Sequence, residues 1–336
     1  MSSAAPAIAV YGVGRYGTDI VRMATAKAWP VVGAYNRAGP KVGQDVGRLA
    51  GLDHDLGVLV EDCDAADFAA LHADIAIVAT TDRLADNMDA FERLLGAGVN
   101  VLSHNTESYL PWAVDADLAA RLDQVATDAG VTFTGSGIWD MSRIWSGILS
   151  AAPCINIDSL HHTSRTNLGR SSSGALAGIG LSNEEFQTQL VDQRGMIGEL
   201  YKLIPWQVMT GLGYEVTDVA ERREAVLFDH PVYAAWIDRE IPAGEPAGLR
   251  VLVDVDTAQG VTAHAEIELR VCAEGEADFM RWQVEGDPNS TVHVDRQVGP
   301  PGSATSLINR VHDVIAAPPG IREVYRLGPP RHSAAR

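Results

Sequence analysis

Lysine is scarce in this chain: Lys27, Lys41 and Lys202 are the only three among 336 residues. None stands in a site-like context, so Schiff-base chemistry through a lysine is not expected. Cysteine is equally sparse. Cys63, Cys154 and Cys272 are odd in number, widely spaced and in no metal-ligand pattern, which excludes a disulfide framework and a zinc-type site. No run is long and apolar enough to span a bilayer. Met1-Ser2-Ser3-Ala4-Ala5-Pro6 lacks the charged and apolar parts of a signal peptide. The expected compartment is the cytoplasm, away from membranes. Positive charge is also short: 26 Lys and Arg stand against 44 Asp and Glu, a net charge of −18. A face that binds nucleic acid needs the opposite sign, so nucleic acid is not an expected partner.

What is present begins with Ile8-Ala9-Val10-Tyr11-Gly12-Val13-Gly14-Arg15-Tyr16-Gly17. A short apolar run enters G-x-G-x-x-G and a helical pattern follows, with Ile20, Met23, Ala24 and Lys27 at helical spacing. That order is the fingerprint of a dinucleotide-binding βαβ unit. Gly12 permits the tight turn, Gly14 lets the backbone approach a pyrophosphate, and Gly17 lets the helix pack close to the strand. Arg15 and Tyr16 open the helix whose N-terminal N–H groups would carry the diphosphate, and they are counted with the cofactor residues.

A second apolar strand, Val31 to Tyr35, ends in Asn36-Arg37, with Lys41 nearby. NAD-specific sites place an Asp or Glu here for the ribose 2′-OH. A carboxylate would repel a 2′-phosphate, whereas Asn36 can donate to it and Arg37 can pair with it. NADP(H), or dual use with NAD(H), is the expected cofactor. Arg37 and Lys41 as solvated loop cations remain the alternative.

The length suits two domains. Asp74 to Ala79 reads as a buried parallel strand, and Leu84, Met88, Phe91 and Leu95 as the helix after it, ended by Gly96 and Gly98. Val99 to Leu102 is the next strand. Pro111 is expected to start one helix carrying Val114, Leu118, Leu122 and Val125, stopped by Gly130. Val131 to Thr134 closes the set. A doubly wound, Rossmann-type parallel sheet over residues 1–140 follows. Beyond it Ile155 to Thr163, Val251 to Val255 and Val261 to Val271 alternate with the two-residue period of antiparallel strands. In the last of these, Val261, Ala263, Ala265, Ile267, Leu269 and Val271 should face the core. Residues 141–302 are therefore expected to form an α+β substrate and dimerisation domain. After the Gly299-Pro300-Pro301-Gly302 punctuation, 303–336 should return to the first domain as helix and tail. The fold class is α/β.

Ligands of open α/β sheets bind beyond the carboxyl ends of the strands. Thr80-Thr81 follow the fourth strand and suit a cofactor ribose. His104-Asn105-Thr106-Glu107 follow the fifth, and Gly135-Ser136-Gly137-Ile138-Trp139 the sixth. Thr80, Thr81, Asn105 and Gly135 are assigned to the cofactor. Glu107 is the candidate catalytic residue: a carboxylate beside a nicotinamide could accept a proton from an amine or hold an ammonium. Capping of the helix at Pro111, or plain solvation, is its structural alternative. Trp139, Met141 and Trp145 could wall a small substrate or serve interdomain packing. In the second domain, His161-His162-Thr163-Ser164-Arg165-Thr166-Asn167 leaves its first strand, so Arg165 and Asn167 could anchor a substrate carboxylate or amide. A loop of ordinary turn residues is the other reading. No third ligand has the right spacing to join His161 and His162 on a metal.

Together these motifs resemble the dihydrodipicolinate reductase superfamily. The resemblance rests on Gly12 to Gly17, Thr80-Thr81, His161-His162 followed by Ser173-Gly174-Ala175, and Ala317-Pro318-Pro319-Gly320. Arg165 stands where the true reductases carry a proton-donating Lys, and Ala175 replaces their Thr, which speaks against dihydrodipicolinate reduction. Over nearly its full length the chain is more similar to the branch of 2,4-diaminopentanoate dehydrogenase and the NAD(P)-dependent amine dehydrogenases. These carry a Glu after the fifth strand, as at Asn105-Thr106-Glu107. The resemblance implies a homodimer that deaminates a small amine oxidatively, or aminates a ketone or aldehyde with ammonia. Another imine or carbonyl reductase on the same scaffold, and a non-catalytic NADP-binding regulator, are the alternatives.

Overall fold

Strand β1 (Ile8–Tyr11) is buried along its whole length, as a parallel strand covered on both faces must be. Around it, in a computed structural model that describes residues 5–193, 196–296 and 302–333, the chain forms two units. The first comprises Met1–Asp140 with Gly299–Arg336, and the second Met141–Val298. Residues 1–4 of the N-terminal reading and Gly299 to Pro301 of the expected punctuation lie outside the described residues.

In the first unit β1 is joined by β2 (Val31–Asn36), β3 (Val60–Asp62), β4 (Ile75–Val78), β5 (Asn100–Ser103) and β6 (Thr132–Gly135). With the short strand Gly320–Ile321 at the edge, the order is Gly320–Ile321, β6, β5, β4, β1, β2, β3. Every pairing is parallel. The order reverses between β1 and β4, which is the switch point at which such sheets bind ligands. One face is covered by helix α1 (Arg15–Ala26) through Ile20, Val21 and Ala24 and by the helix Gly302–Ile315 through Leu307, Ile308, Val311 and Val314. Full burial of a side chain such as Ile20 contributes about 1.5–3 kcal/mol. On the other face lie the helices Met88–Gly96 and Ala116–Ala129, where Phe91 meets Phe133 edge to face at 4.9 Å.

The helix expected from Pro111 to Gly130 is two helices. Pro111–Val114 ends at Asp115, whose extended backbone (φ −156°) starts Ala116–Ala129. The Asp115 carboxylate accepts from Asp117 N–H and Leu118 N–H at 3.1 and 3.0 Å, a cap that outcompetes continued helix at that residue.

The second unit holds a six-stranded sheet in the order β14, β13, β7, β12, β11, β8. Its strands are β7 (Asn156–Asn167), β8 (Val216–Ala225), β11 (Gly248–Thr257), β12 (Thr262–Arg270), β13 (Asp278–Asp287) and β14 (Ser290–Arg296), with β9 (Val232–Ala234) and β10 (Arg239–Ile241) as a separate hairpin. Only β7 and β12 pair in parallel; the rest is antiparallel. Ala263, Ala265, Ile267, Leu269 and Val271 are buried as their alternation requires, whereas Val261, one residue before β12, is only half-buried. The helices Ser146–Ala151 and Leu203–Gly211 pack on this sheet. Gly147 allows it, because a Cβ there would sit 2.8 Å from Trp282 and 2.9 Å from Val208. The architecture is α/β, a parallel sheet flanked by helices plus a mostly antiparallel one. No helix among the described residues is long and apolar enough to cross a membrane.

Candidate cofactor and active site

The glycine-rich turn leaves β1 at the switch point. Gly12 has φ +96°, and a Cβ on it would lie 2.4 Å from the Ala79 carbonyl oxygen beyond β4. Both conformation and space therefore demand glycine. A Cβ on Gly17 would lie 2.1 Å from Gly12 O, so α1 is seated directly on the turn. Gly14, by contrast, has nothing within 4 Å of its Cβ position. It is the N-cap of α1, no side chain caps that helix, and its first turn holds no acid. Uncapped N–H groups, the positive end of the helix and open space above Gly14 fit a phosphate.

Beside this turn, Asn36 ends β2 and its amide donates to Arg37 O at 3.2 Å. Arg15 and Arg37 are exposed, and neither guanidinium has a carboxylate partner among the described residues. Lys41 reaches back across the gap: its Nζ donates to Val13 O, between Gly12 and Gly14, at 2.5 Å. Tyr16 stacks on His104, with ring centroids 4.3 Å apart, which joins the start of α1 to the end of β5. Burial holds the His104 imidazole below its ordinary pKa against the opposing pull of Asp82.

The ends of β4, β5 and β6 are knitted together. Thr80 and Thr81 both bond to Asn87, Thr80 Oγ1 to its Oδ1 and Thr81 Oγ1 from its Nδ2 at 3.1 Å. Asn105 is buried, donates to Thr81 O and accepts from Ser103 Oγ at 2.9 Å. Its amide therefore fastens two strand ends. A Cβ on Gly135 would lie 2.1 Å from Ser108 O, so glycine lets β6 end against the turn Thr106–Tyr109. Asp82, which sequence reasoning missed, fixes that turn by accepting from Thr106 Oγ1 at 2.6 Å.

Glu107 lies on this turn, and its side chain is 14% exposed. Oε2 accepts from Leu84 N–H at 2.7 Å, and Oε1 stands 3.8 Å from Arg83 Nη1. The carboxylate thus caps the short helix that begins after Leu84, not the one at Pro111. One oxygen is committed to the backbone. The other forms a long ion pair with Arg83 and accepts no hydrogen bond from it, so an ammonium or N–H-bearing ligand would have to share it with that guanidinium.

The turn Gly135-Ser136-Gly137 is held by Asp140, which accepts from Ser136 Oγ at 2.9 Å, Gly137 N–H at 3.2 Å and Arg310 Nε at 2.6 Å. Burial raises the Asp140 carboxyl above its usual range, opposed by the Arg310 charge. Only the Ser136–Asp140 spacing hinted at this; Arg310 lies too far along the chain to be read. Trp139 packs on Tyr109 with centroids 5.5 Å apart.

In the second unit Met141 is exposed and Trp145 partly buried. Arg165 and Asn167 do not lie in a loop, because β7 continues to Asn167. Arg165 pairs with Glu276 at 3.0 Å and Glu268 at 3.6 Å. Asn167 Oδ1 accepts from Gly169 N–H at 3.0 Å. The Arg165 charge is thus paired with carboxylates, while its Nε is buried with no hydrogen-bond partner. His161 and His162 occupy opposite faces of β7, as successive strand residues must. His162 is buried beside Trp282, at 4.6 Å between centroids.

No protein-family model matches the chain, and no curated protein does. Among solved structures it is similar to an amine dehydrogenase from Mycobacterium smegmatis, with 28% identity, 98% of each chain covered and a TM-score of 0.84. It is also similar to a UDP-N-acetylglucosamine 3-dehydrogenase from Acidithiobacillus ferrooxidans, with 14% identity, 97% of this chain and 94% of that one covered, TM-score 0.55. An oxidoreductase from Agrobacterium radiobacter in complex with NAD+, L-tartaric acid and magnesium matches at 14% identity over 92% and 87%, TM-score 0.56. The last two share the fold.

Proposed function

We propose that this chain is an NAD(P)-dependent amine dehydrogenase, which deaminates a small amine oxidatively and aminates a ketone or aldehyde with ammonia in reverse. The observation that carries the reading is Glu107, a mostly buried carboxylate with one oxygen fixed by Leu84 N–H and the other 3.8 Å from the half-exposed Arg83 guanidinium. It stands on the same strand-end turn as His104, which touches Tyr16 of the dinucleotide turn. Similarity over 98% of the chain to the Mycobacterium smegmatis amine dehydrogenase supports the reaction class. The NAD+ of the Agrobacterium radiobacter oxidoreductase supports a nicotinamide cofactor. Asn36 and Arg37, in place of an acid, favour NADP(H). The partners are a small amine or carbonyl compound, ammonia, and a second copy of the chain in a homodimer.

When bound, the cofactor supplies hydride to carbon, or takes it in the deamination direction. Glu107 Oε1 orients ammonia. As the nitrogen lone pair forms the C–N bond, the carbonyl π electrons move to oxygen, and Glu107 takes a proton from nitrogen. That proton and a second one from solvent go to the carbonyl oxygen, which leaves as water. The restored carboxylate then faces the iminium and stabilises its positive charge. Consumption of NADPH, then of NADH, should be followed with small ketones and aldehydes, with and without ammonium. The reading expects consumption that requires ammonium. Equal rates without it would instead mark a carbonyl reductase.

A further inference from the structure

We infer that Lys41 reads the 2′-phosphate of NADP(H), an assignment that rests on the cofactor reading above. Of the three lysines, Lys202 pairs with Glu199 and Lys27 donates to Ser333 O near the C-terminus. Lys41 alone reaches the dinucleotide turn. It sits on a bonded turn: Val42 N–H donates to Gly39 O, Gln44 N–H to Lys41 O, and Gly43 N–H to Val60 O of β3. From there its ammonium crosses to Val13 O. The ends of β1 and β2 are neighbours, with Gly12 N–H donating to Tyr35 O at 2.8 Å. The ammonium therefore bridges the glycine-rich turn and the segment after β2, whose end selects between a ribose hydroxyl and its phosphate.

Its charge is uncommitted. An ammonium has three donors; one goes to a carbonyl, and Lys41 forms no ion pair among the described residues. Arg15, Arg37 and Lys41 stand around one turn, and none of the three has a carboxylate partner among the described residues. A phosphate arriving there breaks no existing ion pair. A bare ribose hydroxyl gains little from the same charge, and that difference is selectivity.

The test is calorimetric titration of the full-length chain with 2′,5′-ADP and with 5′-ADP. Wild type, Lys41→Met and Lys41→Gln are compared, each with a thermal melt. Lys41→Gln removes the charge but keeps a donor for Val13 O, so it guards against a loss of folding. The inference expects wild type to prefer 2′,5′-ADP. Both variants should lose roughly tenfold to a hundredfold in affinity for it, the range of one charged hydrogen bond, with 5′-ADP nearly unchanged. Equal losses for both nucleotides would make Lys41 a strut or a diphosphate ligand and overturn the assignment, as would variants that bind like wild type. If wild type itself does not distinguish the two nucleotides, the NADP reading falls and this assignment with it.

Discussion

A Cβ on Gly17 would lie 2.1 Å from the carbonyl oxygen of Gly12, while the Cβ position of Gly14 between them is open. The two glycines thus serve different ends, one packing and one access. Gly17→Ala gains about 1 kcal/mol of helix propensity. It must nonetheless displace backbone, and overpacking costs about 1–3 kcal/mol. It should melt lower than wild type. Gly14→Ala should melt with the wild type but bind dinucleotide more weakly, because its methyl enters the phosphate space. Unchanged dinucleotide affinity in Gly14→Ala would contradict the placement of the diphosphate.

Arg37 carries no carboxylate partner among the described residues and is exposed, so its removal should not disturb the fold. Arg37→Ala is expected to weaken NADPH roughly tenfold or more, as loss of one charged hydrogen bond does, and to leave NADH nearly untouched. Fluorescence titration with both cofactors decides it. Strict preference of the wild type for NADH would contradict this account.

His162 gives the protein an acid sensitivity. Burial, reinforced by the neighbouring Arg143 charge, holds its imidazole well below the usual 6.5. The folded state therefore binds fewer protons than the unfolded state below that value. Stability is full above about pH 6.5 and falls as the pH drops, by up to about 1.4 kcal/mol per pH unit for one proton. Urea unfolding at a series of pH values should show a shallower slope in His162→Gln. An identical slope in the variant would assign the acid sensitivity elsewhere.

Arg165 sits between Glu276 and Glu268, so Arg165→Ala removes one cation from a cluster in which both carboxylates keep Arg270. A loss of about 1–3 kcal/mol is expected, with the KM ratio between amino acids and simple amines unchanged. A selective rise in KM for amino acids would restore a role at the substrate.

How far the sequence reached is seen in particular residues. Ile8–Tyr11 and Ile75–Val78 could be read because a strand buried on both faces is nearly continuous apolar sequence. Gly12 and Gly17 could be read because each meets a local steric demand. Asp115 hid inside a helical pattern, since a cap within such a stretch changes none of its apolar spacing. The ion pair of Arg165 with Glu276 could not be read, because Glu276 lies on a distant segment and strand register is not visible in sequence. The bond of Glu107 to Leu84, 23 positions away, was equally out of reach. Its place after β5 needed only strand counting.

The central claim is that the Glu107 charge handles ammonia and the iminium. Glu107→Gln is the direct measurement, because an amide oxygen can still accept from Leu84 N–H and keep the turn in place. Ammonium-dependent NADPH oxidation should fall by at least about a hundredfold, the lower range for a placed acid–base group, with NADPH affinity and melting temperature near wild type. Near-normal amination by this variant would contradict the account and turn attention to His104.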